Sequence, residues 1–365
     1  MQKNQLSANT ARLINYLSLF SGIGGFEKGI GRKATCIGFS EIDPFAIQIY
    51  QNQFPNHKNY GDITTIKAET LPDFDLLVGG FPCQSFSIAG NRKGFADRRG
   101  HLFFDIARII NIKKPTYLLL ENVKGLLSHN KGKTFKIIIT TLDELGYDCQ
   151  WEVLNSKHFG LAQNRQRVYI VGHLRGKPRP EVFPLERANK KSCIQTQALK
   201  TLNPKDEHKQ QKHPHNQEIP TIKIKEATKT GYAVARVGDS IDVSFPTSTM
   251  RRGRIGRQIA HTLITGMQLY TLTKDRKLRR LTPLECERLQ GFPDYWTKHG
   301  KDPNCNTTEM SDRQRYKSLG NAVGVPVIRT IIKKLLHITK VKHNPNRKHY
   351  DKIKRTNTKT TRTFS

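Results

Sequence analysis

The sequence contains no long apolar run. Its 365 residues include no stretch approaching the about 18 apolar residues that a membrane-spanning helix needs. Residues 1–5 lead into no apolar segment, so we do not expect a secretory leader either. We therefore expect a cytoplasmic protein that does not act at a membrane.

Cysteine is sparse and scattered. No Cys-x-x-Cys pair and no neighbouring histidine accompanies any of the six cysteines, Cys36, Cys83, Cys149, Cys193, Cys286 and Cys305. This pattern predicts neither a disulfide framework nor a metal site. It fits a reducing compartment, in which a free thiol stays available for chemistry.

Acidic residues are few compared with basic ones. Lys and Arg number 62 against 30 Asp and Glu, which gives a net charge of +32 and an isoelectric point near 10.1. A field of this sign attracts polyanions, and nucleic acid is the first candidate. An anionic membrane surface is the competitor, but no basic amphipathic helix with a Trp or Leu face is evident.

Short apolar segments alternate with helical patterns in the first half of the chain. Six segments read as strands that are apolar on both faces, at 15–20, 35–40, 74–78, 117–121, 149–154 and 167–173. Residues 133–145 form a helical apolar stripe, and Gly146 follows as its C-cap. The alternation predicts an α/β fold with a doubly wound parallel sheet.

The composition and periodicity of the sequence change after Gly176. Residues 176–230 are rich in Lys, Asn, Gln, His and Pro and show weak periodicity, as in an irregular insert. Further on, the patterns predict strand-like pieces and one helix, at 232–236, 261–264 and 279–290. Two polar or basic ends are expected to be flexible, at 1–12 and 337–365.

Cys83 has a setting that favours chemistry. It follows a proline just after the apolar strand 74–78, in Gly-Gly-Phe-Pro-Cys-Gln-Ser-Phe-Ser. A thiol on a Gly- and Pro-shaped loop at the mouth of a parallel sheet suits a nucleophile. The alternative is a small buried hydrophobe, which an isolated cysteine usually is.

A second group of residues predicts an adenosine pocket. The first strand ends in Phe-Ser-Gly-Ile-Gly-Gly, whose glycines permit a tight turn and close approach of a ligand. Glu41 follows the second strand, where a carboxylate can bind ribose hydroxyls, and Asp62 could meet an adenine amino group. No phosphate-binding lysine loop accompanies them, so S-adenosylmethionine fits better than a nucleotide.

Charged residues also lie at the ends of the next strands. Glu121 ends Leu-Leu-Leu-Glu-Asn-Val and should share a sheet edge with Cys83. Arg165 and Arg167, spaced i and i+2 at a strand edge, should point the same way. The alternatives are a solvated carboxylate and a surface pair of arginines.

These motifs, in this order, resemble bacterial and phage cytosine-5 DNA methyltransferases of the restriction-modification type. The resemblance rests on Phe-x-Gly-x-Gly-Gly, Pro-Cys-Gln, Glu-Asn-Val, Gln-x-Arg-x-Arg, Arg-Leu-Thr-Pro and Gly-Asn-Ala-Val. It covers roughly 13–175 and 279–335. The Ser-Gly-Ile-Gly-Gly turn departs mildly from the family's usual Ala-Gly-x-Gly-Gly.

The resemblance implies a reaction. A methyl group would pass from S-adenosylmethionine to carbon 5 of a cytosine flipped out of double-stranded DNA, without a metal. Cys83 would add to carbon 6, and Glu121 would hold ring nitrogen 3. Arg165 would bind the cytosine carbonyl oxygen, and Arg167 would support the same corner.

The resemblance also implies two lobes. A Rossmann-like catalytic domain would comprise 13–175 and 313–336, and a smaller, irregular, mostly β target-recognition domain would comprise 176–312. The cofactor pocket would be formed by Phe20, Gly22, Gly24, Glu41, Ile42, Asp62, Pro82, Leu102, Asn321 and Val323. DNA would be contacted by Gln84, Ser85, Ser87, Arg98, Arg251, Arg252, Arg254 and Arg257, and the loop 85–99 would close as a lid.

Two other functions stay open. A tRNA cytosine-5 methyltransferase shares this fold, but its Cys-Phe-Thr element is missing here. A catalytically inactive DNA-binding homologue typically loses Pro-Cys or Glu-Asn-Val, and this sequence has both. We expect a monomer, with a cognate restriction endonuclease as a candidate partner in the same system.

Overall fold

A mixed six-stranded sheet lies at the centre of the protein. The computed structural model describes residues 14–82, 102–185, 220–243, 253–266 and 269–341. The sheet has the order β2-β1-β3-β4-β6-β5, with β1 (Ile14–Leu19), β2 (Ala34–Ser40), β3 (Leu76–Gly80), β4 (Tyr117–Val123), β5 (Tyr147–Asn155) and β6 (Gln166–Leu174). The predicted α/β fold is confirmed, and every predicted strand of this domain is present with slightly shifted ends.

The direction of β6 differs from the prediction. The strands β1 to β4 are parallel, but β6 runs antiparallel to both β4 and β5. Between β5 and β6 the chain forms only a short 3₁₀ turn, Ser156–Phe159, so the regular strand–helix alternation stops at β5. As a result, β6 begins at the edge where β4 ends, and Arg167 pairs with Val123.

Seven helices in the described ranges cover the sheet and its flanks. They are α1 (Gly25–Ile30), α2 (Pro44–Gln53), α3 (Leu102–Lys113), α4 (Lys133–Glu144), α5 (Pro283–Gln290), α6 (Asp312–Asn321) and α7 (Val325–Val341). α4 matches the predicted apolar stripe, and α7 continues past the predicted boundary at 336. Within the described ranges, none of the helices has the length and apolarity that a membrane crossing requires.

Each face of the central sheet has its own apolar core. On one face, strand residues such as Leu17 and Leu118 pack with side chains of α3 and α4. On the other face, residues such as Tyr16 and Val78 pack with α1 and α7. Burial on both faces explains why these strands are apolar throughout.

The helices α1 and α7 lie very close together. A Cβ atom at Gly29 in α1 would lie 2.6 Å from Cβ of Ile328 in α7. Only glycine permits this approach, because any side chain would displace the helix opposite. The end of the chain is thus part of the core that begins with β1.

The lobe after β6 is built from short antiparallel strands. A hairpin joins β7 (Thr221–Lys225) to β8 (Tyr232–Arg236), and a four-stranded sheet has the order β10-β9-β11-β12. The remaining strands are β9 (Ser240–Asp242), β10 (Ile255–Gly256), β11 (Leu269–Leu272), β12 (Leu278–Arg280), β13 (His299–Lys301) and β14 (Thr307–Glu309).

One predicted element of this region is wrong, and another begins later than predicted. Residues 261–264 form no strand; the Thr262 hydroxyl donates to the carbonyl of Asn164, and the N–H of Leu263 donates to Oε1 of Gln163. The helix predicted over 279–290 begins only at Pro283, because Thr282 caps it in a reciprocal capping box with Glu285. The preceding residues pair with β11 as β12.

Candidate active site

Glu121 and Arg167 form an ion pair at the carboxyl edge of the parallel strands. Nε of Arg167 lies 3.0 Å from Oε1 of Glu121, and Glu121 is only 8% exposed. Burial raises the pKa of Glu121, although the nearby positive charges of Arg167 and Arg165 oppose that rise. The site therefore places a buried carboxyl group, whose pKa is raised, in contact with a fixed guanidinium group.

Gly80 makes room for this carboxyl group. It ends β3 and is the register partner of Glu121 in the parallel pair. A Cβ atom at position 80 would lie 3.3 Å from Oε2 of Glu121. The glycine thus leaves space beside the second carboxylate oxygen, at the point where the chain leaves the sheet toward Cys83.

Asn122 anchors the chain where it leaves β3. Its Nδ2 donates to the carbonyl oxygen of Phe81 at 2.8 Å, and its Oδ1 accepts from the backbone N–H of Val123 at 2.8 Å. Sequence reasoning gave Asn122 no role, although a lone amide within an apolar strand was the available signal. Cys83 lies outside the described residues, two positions beyond the anchored Phe81.

The glycine turn after β1 is fastened to the end of β2 through Glu41. The backbone N–H of Gly22 donates to Oε2 of Glu41 at 2.8 Å, and the N–H groups of Ile42 and Asp43 donate to Oε1 at 2.9 Å each. A Cβ atom built at Gly22 would have no atom within 4 Å. The turn is therefore open on the side where a ligand would approach.

Other residues of the predicted cofactor pocket follow the ends of β1, β2 and β3 or lie at the start of a helical turn. Ile42 is 69% exposed, and Phe20 is half-buried with a left-handed backbone φ of 53°. Asp62 is exposed and accepts from the N–H of Thr64 at 2.9 Å. Pro82 is exposed after β3, and Leu102 begins α3.

Residues from the end of the chain complete the same region. A Cβ atom at Gly25 would lie 2.7 Å from Cγ2 of Val323, so the turn between α6 and α7 covers the start of α1. Asn321 is exposed beside it. Gly24, at φ 85°, could not carry a side chain, because its Cβ would lie 2.5 Å from the Phe54 ring.

Arg165 binds backbone carbonyls rather than the carboxyl group of Glu121. Its Nη1 donates to the carbonyl of Leu263 at 3.0 Å, and its Nη2 donates to the carbonyls of Gly320 and Ala322 at 3.1 and 2.9 Å. Arg165 precedes β6, so the alternation of a strand does not apply to it. Arg167 alone of the two forms an ion pair with the buried carboxyl group.

The predicted DNA contacts fall into two groups. Gln84, Ser85, Ser87, Arg98, Arg251 and Arg252 lie outside the described residues. Arg254 is 4% exposed, and its Nη1 donates to the carbonyl of Lys225 at 3.2 Å. The DNA contact of Arg254 stays a prediction, and in this structure the side chain is buried and bound to the backbone of the lobe. Arg257 is exposed and pairs with Asp239 at 2.8 Å.

Within the residues that the structure describes, no three histidine, cysteine or acidic side chains are grouped so as to hold a metal ion.

Known proteins with similar sequences or structures are methyltransferases. The profile of the C-5 cytosine-specific DNA methylase family matches residues 14–337. The Type II methyltransferase M1.ScrFI of Lactococcus lactis subsp. cremoris is 37% identical over 347 residues, covering 88% of this chain and 78% of that protein. The orphan methyltransferase M.SPRI of Bacillus phage SPR is 31% identical over 434 residues, covering 89% and 98%.

A solved structure shares the fold. The S. pombe Dnmt2 methyltransferase superposes with a TM-score of 0.57 at 21% identity, covering 89% of this chain and 99% of that one.

Proposed function

This chain belongs to the C-5 cytosine-specific DNA methylase family and is a DNA cytosine methyltransferase, and on that premise we propose its chemistry. It methylates carbon 5 of a cytosine within a short specific sequence of duplex DNA, with S-adenosylmethionine as the methyl donor. The observation that carries the proposal is the buried Glu121–Arg167 pair, beside the strand end that leads to Cys83.

The open glycine turn fits the methyl donor. Gly22 leaves space above the backbone, and the exposed Ile42 offers an apolar surface for an adenine ring. Glu41 uses its oxygens to hold backbone N–H groups but keeps further lone pairs for ribose hydroxyls. When bound there, S-adenosylmethionine supplies an electrophilic methyl group on a sulfonium.

Cys83 performs the covalent step in this proposal. Its thiolate bonds to carbon 6 of cytosine, and the electron pair of the 5,6 double bond moves to carbon 5. Carbon 5 would then take the methyl group as its bond to the sulfonium sulfur breaks, with S-adenosylhomocysteine as the leaving group. A base removes the proton from carbon 5, the carbon–sulfur bond to Cys83 breaks, and the double bond returns.

Glu121 and Arg167 stabilise the charge that this addition creates. A protonated Glu121 donates to ring nitrogen 3, and the raised pKa of this buried group supports its protonated form. We propose that Arg167, rather than Arg165, donates to the cytosine carbonyl oxygen, because Arg167 lies beside Glu121. Asn122 keeps the chain leading to Cys83 in place.

Access to the ring requires that the base leave the duplex. A stacked cytosine hides the face that Cys83 must attack, so we propose base flipping. The net charge of +32 favours a DNA partner. We propose that residues 176–312 form the target-recognition domain. The cytoplasmic location, the monomeric state and a cognate endonuclease stay predictions.

Methylation mapping tests this function. Purified protein is incubated with unmethylated duplex DNA and S-adenosylmethionine, and the DNA is converted with bisulfite and sequenced. We expect protected cytosines only within one short recognition sequence, and we expect no protected cytosines with Cys83→Ala. A transfer RNA pool in a parallel reaction tests the alternative substrate. Protection of RNA alone, or methylation retained by Cys83→Ala, would refute the proposal.

A further inference from the structure

Three buried polar side chains meet at the junction of the catalytic domain and the following lobe. We call Gln163, Arg165 and Gln290 the junction cluster; all three are almost completely inaccessible to solvent. Their hydrogen bonds are to one another or to backbone groups of distant segments. Such buried polar groups hold a structure in one arrangement, because each lost bond leaves an unsatisfied group.

Two members of the cluster cap the C-terminal end of α6. Gln290 donates from Nε2 to the carbonyls of Leu319 and Ala322 at 2.7 and 3.1 Å. Arg165 donates to the carbonyls of Gly320 and Ala322. The last carbonyls of a helix lack partners within it and carry partial negative charge, which suits a cation. The oxygen of Ala322 thus accepts from both side chains.

The third member connects this cap to the lobe. Gln163 donates to the carbonyl of Leu289 at 2.9 Å and to Oε1 of Gln290 at 3.2 Å, and it accepts from the N–H of Leu263 at 3.0 Å. A Cβ atom at Gly320 would lie 2.5 Å from the carbonyl carbon of Ile264. The last turn of α6 and residues 264–265 therefore lie in close backbone contact.

The cluster lies between the two halves of the proposed site. Arg165 is two positions from Arg167, which contacts Glu121. Residues 320–323, which the cluster holds, carry Asn321 and Val323, and Val323 packs on Gly25 of the glycine turn. We propose that Arg165 and Gln290 are positioning residues that hold the 320–323 turn in the geometry that S-adenosylmethionine requires. This inference rests on the proposed function.

Arg165→Lys and Gln290→Met test the proposal. A lysine ammonium cannot present the planar fork that reaches Leu263 and Ala322 together, and methionine fills the space of Gln290 without a donor. We expect the Kd for S-adenosylmethionine, measured by calorimetry without DNA, to rise about tenfold in each. We expect kcat at saturating cofactor to change by less than about threefold.

Two controls separate positioning from general damage. Ile138→Val removes one methylene from the buried face of α4, far from the cluster, and should leave both quantities unchanged. Arg167→Lys should have the opposite effect: kcat should fall, and the Kd for S-adenosylmethionine should stay unchanged. Because Arg165 and Gln290 share the Ala322 oxygen, the double variant should lose less affinity than the sum of the single losses.

Two results would overturn the inference. One is a folded Gln290→Met protein that binds S-adenosylmethionine within twofold of the wild type; the other is strict additivity of the two substitutions. In either case a wild-type protein that still methylates DNA leaves the proposed function intact. A wild type that binds no S-adenosylmethionine and methylates nothing refutes the function itself.

Discussion

Arg167 reaches Glu121 diagonally across two antiparallel strands. Glu121 is the register partner of Tyr169 and Arg167 that of Val123, so the two side chains are offset by one same-face step, within reach of long side chains. The contact depends on β6 running against β4. In a parallel arrangement the start of β6 would lie at the opposite edge of the sheet.

Replacing Arg167 by alanine should greatly slow the chemical step. It removes the cation that we place on the cytosine carbonyl and leaves Glu121 without its ion-pair partner. The loss of one such donor costs about 100-fold or more in rate, and single-turnover methylation with saturating DNA and cofactor measures it. Equal rates for Arg167→Ala and wild type would remove Arg167 from the reaction.

The titration of Glu121 should give an alkaline limb in the pH profile of the methylation rate, that is, a fall in kcat at high pH. The reaction needs the protonated group, and burial raises its pKa, so the rate should fall as the pH rises through that pKa. Glu121→Gln carries a permanent N–H donor, so its slower reaction should lose this limb. The measurement is kcat against pH between about 5 and 9 for both proteins; an alkaline limb of the same position in both would contradict the assignment.

Asn122→Ala should loosen the chain that leads to Cys83. The Phe81 carbonyl would lose its donor, which costs about 1–3 kcal/mol of unfolding free energy. We expect covalent trapping on 5-fluorocytosine DNA, in which the fluorine blocks release of the thiol, to slow about tenfold through lost orientation.

Tyr147→Phe is the matched control for Asn122. It also removes a buried donor to a backbone carbonyl, that of Pro115, but at the far edge of the sheet. It should cost similar stability, measured by urea unfolding, while trapping proceeds at the wild-type rate. Equal slowing in both variants would show that lost stability, not lost anchoring, is responsible.

Glu27 should make the protein less stable as the pH rises. Burial in α1 raises its pKa from 4.5 to about 7. The folded protein therefore holds a proton that the unfolded chain releases. The stabilisation is complete below pH 4.5 and is lost as the pH rises through about 7, with a total on the order of 3 kcal/mol.

Glu27→Gln should remove this dependence. Urea unfolding at pH 5 and pH 8 gives the two free energies, and their difference should shrink by about the amount that Glu27 contributes. The exposed Glu69→Gln is the control and should leave the difference unchanged. A Glu27→Gln protein with the wild-type difference would show that other groups dominate.

Local sequence patterns located the strands of the central sheet but did not predict the antiparallel direction of β6. Burial on both faces makes β1, β3 and β4 apolar along their length, and this signal is visible in the sequence. Periodicity carries no information on direction, so the reversal of β6 was not foreseen. The helix start at Pro283 was readable from Thr-Pro, yet the apolar pattern alone extended it too far.

The contacts of the site residues were also only partly predictable from the sequence. Glu121, Arg165 and Arg167 were singled out, but spacing could not tell which arginine meets Glu121, since Arg165 lies just outside the strand. Its partners, at Leu263 and Ala322, are 98 and 157 positions away. Contacts over such separations follow from the tertiary fold and leave no local trace.

The contact between α1 and α7 has a consequence for biosynthesis. A nascent chain that has emerged only as far as β6 lacks the helix that covers Phe26 and Ile30, and lacks the turn that packs on Gly25. The glycine turn and its cover therefore meet only when translation is nearly complete. We therefore expect a protein truncated before α7 to lack this cover and to be inactive.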